Sequence, residues 1–420
     1  MHIEATTRPK PDGRRGRRWR SALLAAALVG SLAAPAATSA VAKPLPAPVP
    51  VVRLAGQDAP SNEQLTQDLI ALMQRLRIPG ALVAVTTPER GTWTTALGTS
   101  DLTTGKPIET ADHLRVGSIT KTFTGTVILQ LVQEGLLGLD DPVSAHHPGV
   151  PNGDCITIRQ LLNMTSGLYN YSEDPGFNQR LDEEPEAVWT PQELLDLAYS
   201  HDVYFPPGQG FHYSNTNTVI LGLIAEHLTH QPLAELFRQR IFQPVGMPGS
   251  SLENGAGIPE PNARGYQFIT NVESLTAPTL TGQDAAWADW SAGNPYDVTR
   301  VDASWAWAAG AAASTLGDLQ RWAPALATGT LLSPELQHER LQFVPTSDLP
   351  GAPRYGLGIA EFFGFLGHDG QIPGYTSFMG YHPEHRATVV VLANLNQSPD
   401  GTAPANELAK LLIAELFPKK

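Results

Sequence analysis

Between positions 62 and 76 apolar residues recur at helical spacing: Leu65, Leu69, Ile70, Leu72 and Met73 share one face, and Pro79-Gly80 follows as a stop. The period then changes. Positions 81–86 and 92–97 form two apolar-rich runs around turn residues at 88–91, which predicts a pair of short strands. The C-terminal part repeats this texture, with strands expected at 355–362, 375–381 and 387–395 and an amphipathic helix from about 406 to 416. The long middle section instead has helical periodicity broken by prolines and loops. The simplest architecture is of the α/β (α+β) class. The two chain ends build one antiparallel sheet flanked by helices, and a helix-rich subdomain at about 125–345 is inserted. A cleft between two such subdomains is a usual place for a site.

The first residues follow a different pattern. Arg14, Arg15, Arg17, Arg18 and Arg20 precede a short apolar stretch at 22–34 and small residues ending in Ala40-Val41-Ala42. This run is shorter than the roughly 20 apolar residues of a membrane span and ends in cleavage-type chemistry, so residues 1–42 read as an export signal, by a Sec or Tat route, and no integral membrane segment is expected after its removal. Proline alternates with small residues from 43 to 50, the chemistry of an extended linker, which places the folded domain at 61–418. The 420 residues carry 28 basic and 41 acidic groups, a net charge of −13. Loss of the leader takes seven basic and two acidic residues and leaves −18, which argues against a nucleic-acid partner. The lone cysteine, Cys155, can form no internal disulfide and, beside Ile156-Thr157-Ile158, is expected to be buried filler.

Three segments carry candidate chemistry. Gly117-Ser118-Ile119-Thr120-Lys121 opens a helical pattern whose apolar face is Val127, Ile128, Leu131 and Val132 and which ends at Gly135, so Ser118 and Lys121 stand one turn apart. A serine hydroxyl becomes a nucleophile when a neighbouring base takes its proton, and an amine can serve if burial lowers its pKa. Tyr213-Ser214-Asn215 precedes the apolar run 219–223; its phenol can relay protons, and Asn215 can hold Lys121 and a substrate carbonyl or amide. In Gly367-His368-Asp369-Gly370-Gln371 the glycines admit a close backbone, and the Gln371 N–H can join that of Ser118 in an oxyanion hole. The pair His146-His147 has no partner at ligand spacing, so no metal and no cofactor is assigned.

Taken in this order, Ser118-x-x-Lys121, Tyr213-x-Asn215 and His368-x-Gly370 resemble the three signature elements of the serine β-lactamase and penicillin-binding-protein superfamily. Val116-Gly117-Ser118, Thr165-Ser166-Gly167-Leu168-Tyr169, Tyr355-Gly356-Leu357-Gly358 and Ala393-Asn394 add a similarity to secreted D-alanyl-D-alanine carboxypeptidases over roughly 62–417. The resemblance implies a β-lactamase/DD-peptidase-like fold and an acyl-enzyme on Ser118, with Lys121 and Tyr213 moving the proton. It also implies a substrate cleft with His368 and Trp305 at its wall, and a small-molecule or peptide substrate such as a peptidoglycan stem peptide. An esterase or β-lactamase on the same scaffold, and a catalytically silent peptide-binding protein, are the alternatives. Which of Lys121 and Tyr213 is the base stays open.

Two departures bear on the substrate. Where carboxypeptidase relatives carry arginines after Tyr-Gly-Leu-Gly, this chain has Ile359, Ala360 and Glu361. Asp369 occupies a position where a hydroxyl residue is usual, and its charge disfavours a carboxylate-bearing substrate unless it points away or pairs with His368. Of the tryptophans Trp287, Trp290, Trp305, Trp307 and Trp322, all but Trp305 are expected to pack in the core.

Overall fold

A computed structural model describes residues 60–276, 295–349 and 351–418. The export signal, nearly all of the linker, Trp287 and Trp290 lie outside the described residues.

After helix α1 (Asn62–Leu76), strands β1 (Gly80–Thr87) and β2 (Gly91–Asp101) form the expected hairpin, and the two-residue β3 (Lys106–Pro107) lies beside β2. The C-terminal part supplies β4 (Val344–Pro345), β5 (Arg354–Tyr355), β6 (Ala360–Phe362), β7 (Phe365–Ile372), β8 (Tyr375–His382) and β9 (Ala387–Ala393). The nine strands run in the order β3-β2-β1-β9-β8-β7-β6-β5-β4, with β1 and β9 antiparallel from Ala81 opposite Ala393 to Thr86 opposite Thr388. The two chain ends therefore meet in mid-sheet. The run expected at 355–362 is divided between β5 and β6, because Gly358 takes a positive φ of 67° and the chain turns there.

Strands β1 and β9 are nearly continuous in apolar residues because both faces are covered. Ala81, Val83, Val85, Val389 and Val391 pack with α1 and the C-terminal helix Pro404–Leu416. Leu82, Ala84, Val390 and Leu392 face the other way, toward the inserted helices. Helix α2 (Thr120–Gln133) lies in that second core and is buried along almost its whole length, so its polar side chains need partners inside the protein. They find them. Thr120 and Thr122 donate to the carbonyls of Gly117 and Ile119, Thr126 to that of Thr122, and Thr124 to Ala308 on the short helix α4 (Trp307–Gly310). Thr122 also accepts the indole N–H of Trp322 at 2.8 Å, from helix α5 (Leu316–Thr328), and Phe123 sits among Phe237, Phe242 and Trp322 with ring centroids 5.1–5.7 Å apart.

Trp305, Trp307 and Trp322 are all buried. Cys155 corrects the expectation for it: the side chain is exposed, because a turn in which its N–H donates to Asn152 aims it outward while Ile156 enters the core.

Because Phe123 fixes the helix that carries Lys121, Phe123→Ala should destabilise the protein by about 3–5 kcal/mol, read from denaturant unfolding.

Candidate active site

The residues around Ser118 are held before any of their chemistry is considered. Leu114 and Arg115 pair with Ser314 and Ala313 in a small three-stranded sheet. The Val116 N–H donates to Ala312, and its carbonyl accepts the Ser377 hydroxyl of β8 at 2.7 Å. Ser118 then lies in a single 3-10 turn, Gly117–Ile119, that runs directly into α2 and packs along β7. Two glycines permit this approach. Gly117 has a φ of 52°, and a methyl group on it would stand 2.8 Å from the Gln371 nitrogen. One on Gly370 would stand 2.1 Å from the Val116 carbonyl oxygen and 3.0 Å from the Ser118 nitrogen. The backbone at Ser118 and that at Gln371 are thus brought together, as an oxyanion hole requires. The Gln371 side chain turns away and donates to Asn396.

Lys121, buried at 2 % exposure, donates from Nζ to Ser118 Oγ at 3.0 Å and to the Ala309 carbonyl at 2.8 Å. The amine lies 4.7 Å from the centroid of the Tyr213 ring. Burial holds its pKa well below the ordinary lysine value, with the nearby Asp369 charge opposing. The Tyr213 hydroxyl is buried without a well-formed hydrogen bond, but it lies near enough to Ser118 for that hydroxyl to favour the phenolate. Burial, the larger effect, together with the neighbouring Tyr355 and Asp369, pushes the phenol well above its usual range.

Tyr213 stands just before helix α3 (Asn215–Thr229), and the loop at 165–173 fixes that entry. Thr216 donates to the Tyr169 carbonyl at 2.6 Å, Ser166 to Asn217 at 2.7 Å, and the Asn215 N–H to Asn170 at 3.0 Å. Asn215 corrects the contact expected of it: its side-chain amide donates to Ser172 at 2.9 Å, while Lys121 takes the Ala309 carbonyl instead. That carbonyl belongs to an Ala-rich backbone with no sequence signature, so only the packing of α4 on α2 discloses it.

The structure also buries His368 and Trp305, which were expected at the cleft wall. His368 lies on β7 with no exposed surface. Its Nδ1 is 2.6 Å from the Asp369 carbonyl oxygen, so that nitrogen carries the proton, and Nε2 is 2.9 Å from the Tyr355 hydroxyl. The ring stands behind Tyr213, with centroids 6.2 Å apart. Trp305 is 8 % exposed and packs edge-on against Phe177, between the buried Ser304 and Ala306. Tyr355, quoted above only as part of a motif, is the unforeseen member of the site. His146 bonds to Asp141 at 2.9 Å, and no metal-holding cluster is found among the described residues. A groove of about 500 Å³ between α1 and β2, lined by Ile70, Met73 and Leu97 among others, contains none of these residues.

The family model described as Beta-lactamase matches residues 65–413. Penicillin-binding protein 4* of Bacillus subtilis strain 168 is 28 % identical over 320 residues, 73 % of this chain and 66 % of that protein. The protein flp of Staphylococcus aureus N315 is 27 % identical over 350 residues, 80 % of this chain and 64 % of its own length, so the chain spans slightly less than two thirds of these curated relatives. Among solved structures, a D-stereospecific amidohydrolase from Streptomyces sp. superposes with a TM-score of 0.72 at 31 % identity, over 86 % of this chain and all of the other. The D-amino acid amidase of Ochrobactrum anthropi SV3, complexed with D-phenylalanine, gives 0.68 at 28 %, over 84 % of this chain and 100 % of the other.

Gly370→Ala should push β7 off the Ser118 turn and lower kcat by about 10²–10³-fold, the cost of a misplaced oxyanion donor, in steady-state assays. Lys121 is competent as a base only when unprotonated, so kcat/KM should fall as pH drops through its lowered pKa. Lys121→Arg, whose guanidinium stays charged, should be nearly inactive at every pH where the parent works.

Proposed function

Because the chain belongs to the beta-lactamase family of serine hydrolases, we propose that it is an acyl-enzyme amidohydrolase acting on amides and short peptides of D-configured amino acids. The observation that carries this reading is the buried Lys121 amine bonded at 3.0 Å to the Ser118 hydroxyl. Burial lowers the pKa of the amine and raises that of the phenol, so it favours the uncharged form of both. The base is therefore Lys121, and Tyr213 passes protons without resting as phenolate.

Ser118 Oγ attacks the substrate carbonyl carbon as its proton moves to Lys121, and the oxyanion is received by the N–H groups of Ser118 and Gln371. The bond from carbon to nitrogen then breaks, and the amine leaves with a proton relayed from Lys121 through Tyr213. Water attacks the resulting Ser118 ester, giving up one proton to the base. The carboxylic acid departs and Ser118 is restored.

D-configuration rests on the similarity to the amidohydrolase and the amidase. The narrower D-alanyl-D-alanine carboxypeptidase reading, with a peptidoglycan stem peptide as substrate, draws on the likeness to penicillin-binding protein 4*. It requires in addition that a terminal carboxylate be gripped, and the positions after Tyr-Gly-Leu-Gly supply no cation for that. The basic and apolar N-terminal stretch supports action after export.

Intact-mass measurement after incubation with a fluorophosphonate should show one adduct, absent in Ser118→Ala, and that variant should lose turnover of D-phenylalanine amide while its stability stays within about 1 kcal/mol of the parent. Retained turnover would remove Ser118 from the mechanism. Equal hydrolysis of D- and L-phenylalanine amide would remove the D-specific reading, and ester cleavage without amide cleavage would make the protein an esterase.

A further inference from the structure

Of the reacting side chains, Tyr213 has the weakest polar support. Its hydroxyl makes no well-formed hydrogen bond, and its ring meets Lys121, Tyr355 and His368 by ring contact alone. Its placement therefore depends on the backbone that carries it, and both flanks of that backbone are tied to one carboxylate. Glu173 ends the 3-10 turn Tyr171–Glu173, in the loop that fixes the entry to α3. His212, immediately before Tyr213, places Nε2 3.0 Å from Glu173 Oε1, so that nitrogen donates. Beyond Tyr213, the Asn215 N–H donates to Asn170 Oδ1 at 3.0 Å, and the Asn170 side-chain N–H donates to Glu173 Oε1 at 3.1 Å. Ser172 joins the same two asparagines, donating to Asn170 Oδ1 at 3.0 Å and accepting from the Asn215 side chain at 2.9 Å.

Glu173 is itself firmly held. Its Oε2 accepts the Tyr204 hydroxyl at 2.7 Å, and that hydroxyl accepts the Asn170 backbone N–H at 3.2 Å. The His212 ring lies over Tyr204 with centroids 3.7 Å apart, Tyr204 stacks on Tyr169 at 5.4 Å, and Tyr169 on His201 at 3.9 Å. His201 Nε2 then lies 3.0 Å from Asp174, so the stack has a carboxylate at each end. The side chains of Glu173 and His212 are only 12 % and 9 % exposed. Burial disfavours the Glu173 charge, but the donors His212, Tyr204 and Asn170 outweigh it and hold the carboxyl below its usual range. An ionised acceptor with both oxygens occupied holds its donors more strongly than a neutral one. None of these bonds goes to Ser118, Lys121 or the Tyr213 hydroxyl, so any effect of Glu173 on the reaction passes through the chain on either side of Tyr213.

We infer that Glu173 is a positioning residue for proton delivery to the leaving group: by holding His212 directly and Asn215 through Asn170, it sets where the Tyr213 hydroxyl stands. The inference rests on the acyl-enzyme reading above. Its consequence depends on the leaving group. A departing amine must receive a proton, which Tyr213 passes on, whereas p-nitrophenolate departs as the anion and needs none. A displaced Tyr213 therefore slows amide cleavage and spares the activated ester, while a general loosening of the fold slows both.

The test compares D-phenylalanine amide with the p-nitrophenyl ester of D-phenylalanine, which share an acyl group and differ in the leaving group. Glu173→Ala should lower kcat/KM for the amide by roughly 10–100-fold and for the ester by less than about threefold, the scale of a catalytic group displaced by about an ångström. Glu173→Gln, which keeps the shape and one acceptor oxygen, should recover most of the amide rate. In a Tyr213→Phe background Glu173→Ala should cost the amide little more, since the group it positions is gone. An equal fall for amide and ester, a glutamine variant as impaired as the alanine one, or a full additional loss in the Tyr213→Phe background overturns the inference and leaves the acyl-enzyme reading intact. Absence of Ser118-dependent turnover of either substrate by the parent overturns that reading and the inference with it. Should Glu173→Ala fail to fold, His212→Phe, which keeps a ring against Tyr204 and removes the donor to Glu173, decides the matter: a loss confined to the amide supports the inference and an equal loss overturns it.

Discussion

An amine can take a proton from a serine only while it is itself uncharged, and burial lowers the Lys121 pKa in that direction. Lys121 lies under the Tyr213 ring with Nζ between the Ser118 hydroxyl and the Ala309 carbonyl. Keeping it there requires a helix buried on nearly every side, which in turn requires that the helix bring few unsatisfied polar groups with it. The four threonines of α2 meet that demand by bonding to nearby carbonyls, and Trp322 and the α4 backbone close the space around them. The position of α4, the entry angle of α3 and the close contact of the Ser118 turn with β7 follow from sealing this one amine from water while leaving Ser118 half-exposed.

The same seal acts on Tyr213. Tyr213 loses solvent together with Lys121, and burial moves the two groups in opposite directions, the amine down and the phenol up. Both neutral forms are favoured, which suits a pair proposed to pass a proton between them and return to its starting state. Asp369 works against the amine and with the phenol, so it tunes the pair from outside the direct contacts. Tyr355 and His368 form the packed support behind Tyr213, and their mutual hydrogen bond fixes the ring orientation against which Tyr213 rests.

The four reacting or supporting segments are far apart in the chain and are joined by two architectural facts. The sheet closes where β1 meets β9, which brings β7 into the same layer as the N-terminal hairpin. The small sheet formed by 114–115, 251–252 and 312–314 ties the approach to Ser118 to the segment that provides Ala309. Glycines at 117 and 370 then allow backbone to meet backbone, since any side chain at either place would occupy the space of the oxyanion donors.

Helical and strand periodicity fixed the element types, and with them the sheet made of both chain ends, because a covered strand must be apolar and an amphipathic helix must repeat every three or four residues. Spacing likewise sufficed for Ser118 and Lys121, whose contact is local to one helical turn. It did not suffice for Asn215, His368, Trp305 or Cys155. Whether Asn215 reaches Lys121 depends on a carbonyl 188 residues along the chain from that lysine. Whether His368 faces solvent depends on Tyr355 and Tyr213 arriving from other segments. Residue identity and local spacing set what each group is able to do. Burial, partner and field, which decide whether it does so, are sums over neighbours that only the folded chain assembles.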